Sequence, residues 1–283
     1  MRSRALIQPS GLSPIAARRW STSERMIDKY MKQQEIHSVT LDRQVGSGTS
    51  CLMEGEVRGT RVTHYAIKAG ESLCLPECTD FVRILFVYQG TAVFSKGTDE
   101  ILLNERDIYI ADPQKAVVIT ATTSANVLEI SRYLSDDEFL GVCSHADSLP
   151  YVVVYDKAPT YTEDCKSPKT ISRMLVPTRI IPRFAMGSVE TRGDDLIEQH
   201  EHPMLEQFFF GLDDNDCDAL IDDIVFPFHR NTLLHIPLGS NHGVRSRGNQ
   251  VVHYLWMDFL FDDEGLAYMD SVHKLSEGTG SAE

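Results

Sequence analysis

The chain has 283 residues, 42% hydrophobic and 24% charged, enough to bury one large core or two medium ones, and this composition excludes wholesale disorder, collagen and coiled coil. Its 27 Lys and Arg against 41 Asp and Glu give a net charge of −14, a field that repels phosphate backbones and anionic membrane surfaces and argues against a nucleic-acid partner. No run reaches the roughly 18 to 20 consecutive apolar residues of a bilayer span, and the six scattered cysteines (Cys51, Cys74, Cys78, Cys143, Cys165, Cys217) lack the paired spacing of a structural zinc site and read as reduced thiols.

Residues 1–25 are compositionally foreign: Arg2, Arg4, Arg18, Arg19 and Arg25 stand against the single Glu24. This acid-poor bias suits an organelle transit peptide, or else a leader upstream of a true start at Met26 or Met31. The expected location is cytoplasmic, or mitochondrial or another organelle if the leader is a transit peptide. From Met26 onward the charge is −18. A helix is expected around Ser23–Gln34, at the start of a first unit spanning 26–135. The runs RVTHYAIKA, VRILFVYQGTAVFS, DEILLN, DIYIA, AVVITATT and NVLEISRYL follow, bounded by Gly, Pro, Asn or Asp, and predict short antiparallel strands of a sandwich or barrel. The connector 136–172 carries Pro150, Pro159 and Pro168, and its apolar YVVVY predicts an ordered strap rather than a free linker. Over 173–275 the strand pattern returns, and 276–283 read as a frayed tail. Laying Gly90 over Gly211 brings the two halves into near register, so the fold class is all-β with two copies of one unit.

The second copy carries the chemistry. His200 and His202 lie two apart, so in a strand both imidazoles leave one face. Glu206 follows His202 with even parity after Pro203 interrupts the ladder, and Pro237, Gly239 and His242 form a turn that brings in a third imidazole. Three neutral nitrogens and one carboxylate suit a divalent ion and leave open positions for water or substrate. Zinc, manganese, iron and nickel all meet that description. With Gly90 on Gly211, the same positions in the first half fall on Thr79, Phe81, Leu85 and Val118, which hold no metal, so that barrel is expected to be structural, covering its twin or building a dimer face.

These two segments resemble the two signature motifs of the cupin superfamily, a jelly-roll barrel whose motif one supplies His, His and Glu and whose motif two supplies the last His. The resemblance implies a bicupin with His200, His202, Glu206 and His242 as ligands. KTISRMLVP, IPRFAMGSVET, HEHPMLEQFFF and HYLWMDFLFDDEGLAYMDSVH are similar to the C-terminal half of the 5-keto-4-deoxyuronate isomerases, and the related 5-deoxyglucuronate isomerases share the two-barrel plan. That likeness implies a zinc-type site and aldose–ketose interconversion of a sugar acid. The uronate isomerases usually place four residues between the second His and the Glu, whereas Pro203, Met204 and Leu205 make three here.

Such an isomerisation needs a base to move a proton between neighbouring carbons. The candidates are Glu206, if it loosens from the ion, Glu190 and Tyr254; His253 and Tyr254 are adjacent, so at most one of them lines the cavity. Arg183 and His253 are the candidate substrate-binding residues, Arg183 through a bidentate fork to a carboxylate. The leading function is a metal-dependent, aldose–ketose type isomerase of a small sugar acid such as a keto-deoxyuronate. The alternatives are an iron-dependent dioxygenase, or a lyase or hydrolase of a small organic acid, on the same barrel, and third a non-catalytic sugar-binding or storage cupin. A homodimer or larger homo-oligomer is expected.

Overall fold

A computed structural model describes residues 36–41, 47–144, 148–202, 205–261 and 274–275. The leader over 1–25, the helix expected around Ser23–Gln34 and the tail over 276–283 lie outside the described residues.

The expected strands form where β-branched and aromatic residues cluster between turn residues. After β1 (Ser38–Thr40) come β2 (Gly48–Leu52), β3 (Thr60–Ile67), β4 (Ser72–Leu75), β5 (Phe81–Gln89), β6 (Ala92–Lys96), β7 (Asp99–Leu103), β8 (Ile108–Ile110), β9 (Val117–Ala121) and β10 (Ala125–Tyr133). The connector holds helix α1 (Asp136–Ser144), β11 (Tyr151–Val153), a 3₁₀ turn over Tyr155–Lys157, and β12 (Thr160–Thr162). The second half supplies β13 (Ile171–Val176), β14 (Phe184–Arg192), β15 (Asp195–His200), β16 (Leu205–Gly211), β17 (Asp216–Ile221), β18 (Ile224–His229), β19 (Thr232–Ile236), β20 (His242–Ser246), β21 (Val251–Leu260) and β22 (Lys274–Leu275). Helix α1 starts at a capping box, in which the Ser135 N–H donates to Glu138 Oε2 at 2.9 Å and the Glu138 N–H donates back to Ser135 Oγ at 3.4 Å.

Two antiparallel barrels result. The first closes a sheet in the order β11-β8-β5-β10-β3-β2 over a sheet in the order β4-β9-β6-β7. The second is built on β1-β19-β16-β21-β14-β13-β12-β22, with β15, β20, β17 and β18 folding over as its opposite wall. The chain is laced across the two: β1 pairs with β19 of the second barrel, although it precedes the first, and β11 pairs with β8 of the first.

Strand alternation gives each central strand two apolar faces. Leu85, Val87 and Val127 point into the first barrel with Phe94, Tyr109 and Ile119, filling its interior. Ile84, Phe86 and Tyr88 point out and meet Phe208, Phe210, Leu255, Met257 and Phe259 of the second barrel in one shared core. Phe210 meets Phe86 and Tyr88 edge-on, at centroid distances of 5.9 and 5.2 Å. The first barrel thus covers its twin. The overlay of Gly90 on Gly211 is out of phase by one residue, because it sets the outward Tyr88 on the inward Phe209 and the inward Leu85 on the outward Glu206. A one-residue slip exchanges the faces of a strand.

Candidate metal centre

The site is assembled where β15 and β20 run side by side. Their pairing is regular up to Ile197↔Val244 and resumes at His200↔His242 after an irregularity, which turns His200 toward the cavity. Gly243 makes the approach feasible: a Cβ there would lie 2.5 Å from the Ile197 carbonyl oxygen. His202 follows directly after β15, and His242 opens β20 behind the Pro237–Ser240 turn, closed by a 3.1 Å bond from the Ser240 N–H to the Pro237 carbonyl. The ring centroids of His200, His202 and His242 are 4.8, 5.0 and 5.3 Å apart, and one nitrogen from each lies within 4.8 Å of the others.

Two of the rings are oriented by the backbone. His200 Nδ1 donates to the Glu198 carbonyl at 2.8 Å, and His242 Nδ1 donates to the Ser240 carbonyl at 3.0 Å. A carbonyl only accepts, so the proton sits on Nδ1 and the Nε2 lone pair is left for a cation, the arrangement usual at imidazole–metal sites. Burial, with the His200 ring beside it, pushes His242 down to about 4, so it is neutral at pH 7.

The carboxylate expected to complete the set is elsewhere. Glu206 shares the outward face of β16 with Phe208 and Phe210, accepts a hydrogen bond from the Arg58 backbone, and lies near Arg132. Burial raises its carboxyl above the ordinary range. The even-parity count from His202 fails because β15 ends at His200 and β16 begins at Leu205, and parity holds only within a continuous strand. Gln207 is the residue that faces the cavity. Its Nε2 donates to Asp258 Oδ1 at 2.7 Å across the β16–β21 pairing, while its Oε1 is buried with no hydrogen-bond partner. An amide oxygen left bare beside three imidazoles is a donor suited to a cation, so the residues present fit a metal ion, with His200, His202, His242 and Gln207 to hold it.

These side chains border a small recess of about 30 Å³, partly open to solvent, whose walls include Phe209, Tyr254, Trp256 and Asp258. From the connector, Glu163 and Lys166 also reach it. Tyr254 lines the recess, its ring tilted against Phe209 at a centroid distance of 4.6 Å, with burial pushing its hydroxyl well above the ordinary value. The other candidates are not in the recess. His253 faces the opposite side: its Nδ1 donates to Asp214 at 2.6 Å and its Nε2 lies 2.9 Å from the Tyr155 hydroxyl. Glu190 is His253's cross-strand neighbour and pairs with Arg173 at 3.1 Å. Arg183 makes a bidentate pair with Glu138 of α1 at 2.6 and 2.8 Å, so its fork is filled by the protein itself and holds the connector helix.

No protein-family model and no curated protein matches the sequence. Solved structures do resemble this fold. A putative glyoxylate-induced protein from Pseudomonas aeruginosa superposes with a TM-score of 0.62 at 10% identity, over 89% of this chain and 94% of that one. An IolB-like protein from Salmonella typhimurium gives 0.61 at 13% identity, over 86% and 97%. Oxalate decarboxylase from Lactobacillus farciminis, in a formate complex, gives 0.58 at 12% identity, over 82% and 90%. The fold is that of a bicupin. At these identities the likeness is one of architecture.

The connector residues and the Gln207–Asp258 pair are absent from the sequence reading. Asp258 had a signal, an acid within the apolar strand VVHYLWMDFLF. Gln207 had one in the isomerase spacing, since four residues after His202 lead to position 207. Nothing local marked Glu163 or Lys166.

Proposed function

We propose that the C-terminal barrel of this bicupin is a divalent-metal site at which a small organic acid reacts, and that the reaction is an aldose–ketose type isomerisation of a sugar acid such as a keto-deoxyuronate. The observation that carries the reading is the convergence of three imidazoles, two of them oriented by the backbone, and the bare Gln207 oxygen on a recess that opens to solvent. The register also favours this class over other cupin chemistries. Gln207 stands after the four-residue spacing that the uronate isomerases use for their Glu, with an amide in place of the carboxylate.

When bound, a divalent ion polarises a carbonyl and its neighbouring hydroxyl, acidifying the C–H between them. The chain must then hold the substrate and move one proton between adjacent carbons. Glu206 and Glu190 face away from the recess, which leaves Glu163 and Asp258 as the carboxylates on its wall among the described residues. Both are engaged, Asp258 as acceptor for Gln207 and Glu163 by the Lys166 ammonium at 2.8 Å, so the base is whichever of the two loosens from its partner. Phe209 and Trp256 keep that side of the recess apolar, where a fixed charge acts more strongly than in water. The expected outcome is interconversion of a keto-deoxyuronate or similar uronate by protein loaded with zinc or manganese, followed by NMR and abolished by chelator. Failure across a uronate panel with metal stoichiometrically bound would overturn the isomerase reading, and oxygen uptake by iron-loaded protein would move the site to the oxygenases.

A further inference from the structure

The strap that carries Lys166 and Glu163 is fastened to the metal-binding strand at Asp195, whose Oδ2 accepts from the Ser167 hydroxyl at 2.9 Å, and again at Glu198. The Glu198 N–H donates to the Cys165 carbonyl at 3.0 Å, and the Glu198 carbonyl accepts from His200 Nδ1 at 2.8 Å. The strap and a candidate ligand are therefore both held by the backbone of one residue, Glu198. Lys166 is nearly buried, with 7% of its side chain exposed, and its ammonium is held by Glu163 Oε2 at 2.8 Å, Ser172 Oγ at 3.2 Å and the Tyr161 hydroxyl at 3.4 Å. It also lies 5.1 Å from the centre of the Tyr161 ring. An ion pair this dry gives little net stability, so stability alone does not account for its place beside the imidazoles.

Its charge does. Among the described residues lining the recess, Lys166 is the only formal cation, and Glu163 and Asp258 are the formal anions. These three side chains together give the recess one net negative charge, which attracts a divalent ion. Once such an ion is held, the balance reverses to one net positive charge in a partly apolar recess. Resting on the metal-site reading above, we propose that the Lys166–Glu163 pair tunes this recess to admit a singly charged anion, whose carboxylate takes the place of the Ser172 and Tyr161 hydroxyls on the Lys166 ammonium. A neutral polyol leaves that positive charge unmatched, and a dianion overcompensates it.

The probe is the cobalt(II)-loaded full chain, its visible spectrum titrated with glycolate and with the uncharged glycolamide. Glycolate is expected to bind at least about tenfold more tightly than glycolamide, the ratio set by about 1.4 kcal/mol. Lys166→Met is expected to weaken glycolate about tenfold or more while cobalt affinity holds or rises, because the loaded recess becomes neutral. Glu163→Gln moves both the opposite way, tightening glycolate and weakening cobalt. Equal affinity for glycolate and glycolamide in the parent protein, which requires no variant to fold, would overturn the proposal, as would the two substitutions shifting glycolate affinity in the same direction or not at all. Failure to take up cobalt would overturn the metal-site reading itself, whereas cobalt uptake with a charge-blind guest overturns only the role of the strap.

Discussion

Gln207→Glu tests the floor of the recess. The Gln207 amide nitrogen lies 2.7 Å from Asp258 Oδ1. A carboxylate oxygen in its place would repel Asp258 by about 6 kcal/mol at that separation and an effective dielectric constant near 20. The pair escapes more cheaply by keeping one proton. Holding a carboxyl of ordinary pKa about 4.3 protonated at pH 7 costs about 4 kcal/mol, and the retained O–H replaces the lost amide donor to Asp258. The expected loss in the metal-free variant is therefore about 4 kcal/mol at pH 7, or roughly ten degrees of melting temperature. The folded pKa is raised here, so the penalty is absent below the unfolded value near 4.3 and grows as pH rises above it. Adding zinc or manganese reverses the sign, since the ion replaces the shared proton, so metal should raise the melting temperature of the variant more than that of the parent. The assay is thermal unfolding by circular dichroism in chelator at pH 4.5 and pH 7, then with metal at pH 7. Parent and variant melting together at pH 7 in chelator would refute the contact and the site drawn around it.

Three further substitutions probe other parts of the arrangement. Glu206→Gln should leave metal affinity within about twofold by calorimetry, because Glu206 faces the other barrel, and should gain a little stability above pH 4.5, where its buried carboxylate is disfavoured; a tenfold loss of affinity would restore it as a ligand. Gly243→Ala places a Cβ 2.5 Å from the Ile197 oxygen and should push β15 outward, costing about 1–3 kcal/mol in urea unfolding and lowering metal affinity; unchanged affinity would separate β15 from the site. Glu138→Gln removes the partner of Arg183, whose guanidinium holds the Glu138 carboxyl down at about 2. That stability is present above the unfolded pKa and lost as pH falls toward 2, so the deficit of the variant should be about 1 kcal/mol or less at pH 7 and vanish near pH 2. A constant deficit across that range would mean that the pair contributes nothing electrostatic.

Fold class was legible because each strand writes its two faces in alternate residues, and because turn residues punctuate the strands at short intervals. The imidazoles were legible because His200 and His202 are sequence neighbours and His242 follows a turn written in Pro237 and Gly239. What failed was counting across a break. Even spacing from His202 to Glu206 means a shared face only if the strand is continuous, and β15 and β16 are separate strands. Glu163 and Lys166 were hidden for a different reason: their place over the recess is fixed by the backbone bond from Glu198 to Cys165, which no side-chain pattern records.

The run VVHYLWMDFLF shows how much a single strand can encode when both faces are buried. Tyr254, Trp256 and Asp258 have one parity and border the recess; His253, Leu255, Met257 and Phe259 have the other and face the companion barrel. Each face carries one acidic or imidazole side chain among aromatic and aliphatic ones, and each has a committed partner, Gln207 for Asp258 and Asp214 for His253. Burying either group unpaired would cost several kcal/mol, so neither is tolerated as an accident of the core. The two differ in what their partner leaves over. Asp214 and Tyr155 together engage both nitrogens of His253, which closes that network. Asp258 engages only the amide nitrogen of Gln207 and turns the bare amide oxygen toward the imidazoles. An acid in an apolar strand therefore marks a reactive site when its partner keeps an unused polar atom facing a cavity, and marks a structural clamp when it does not.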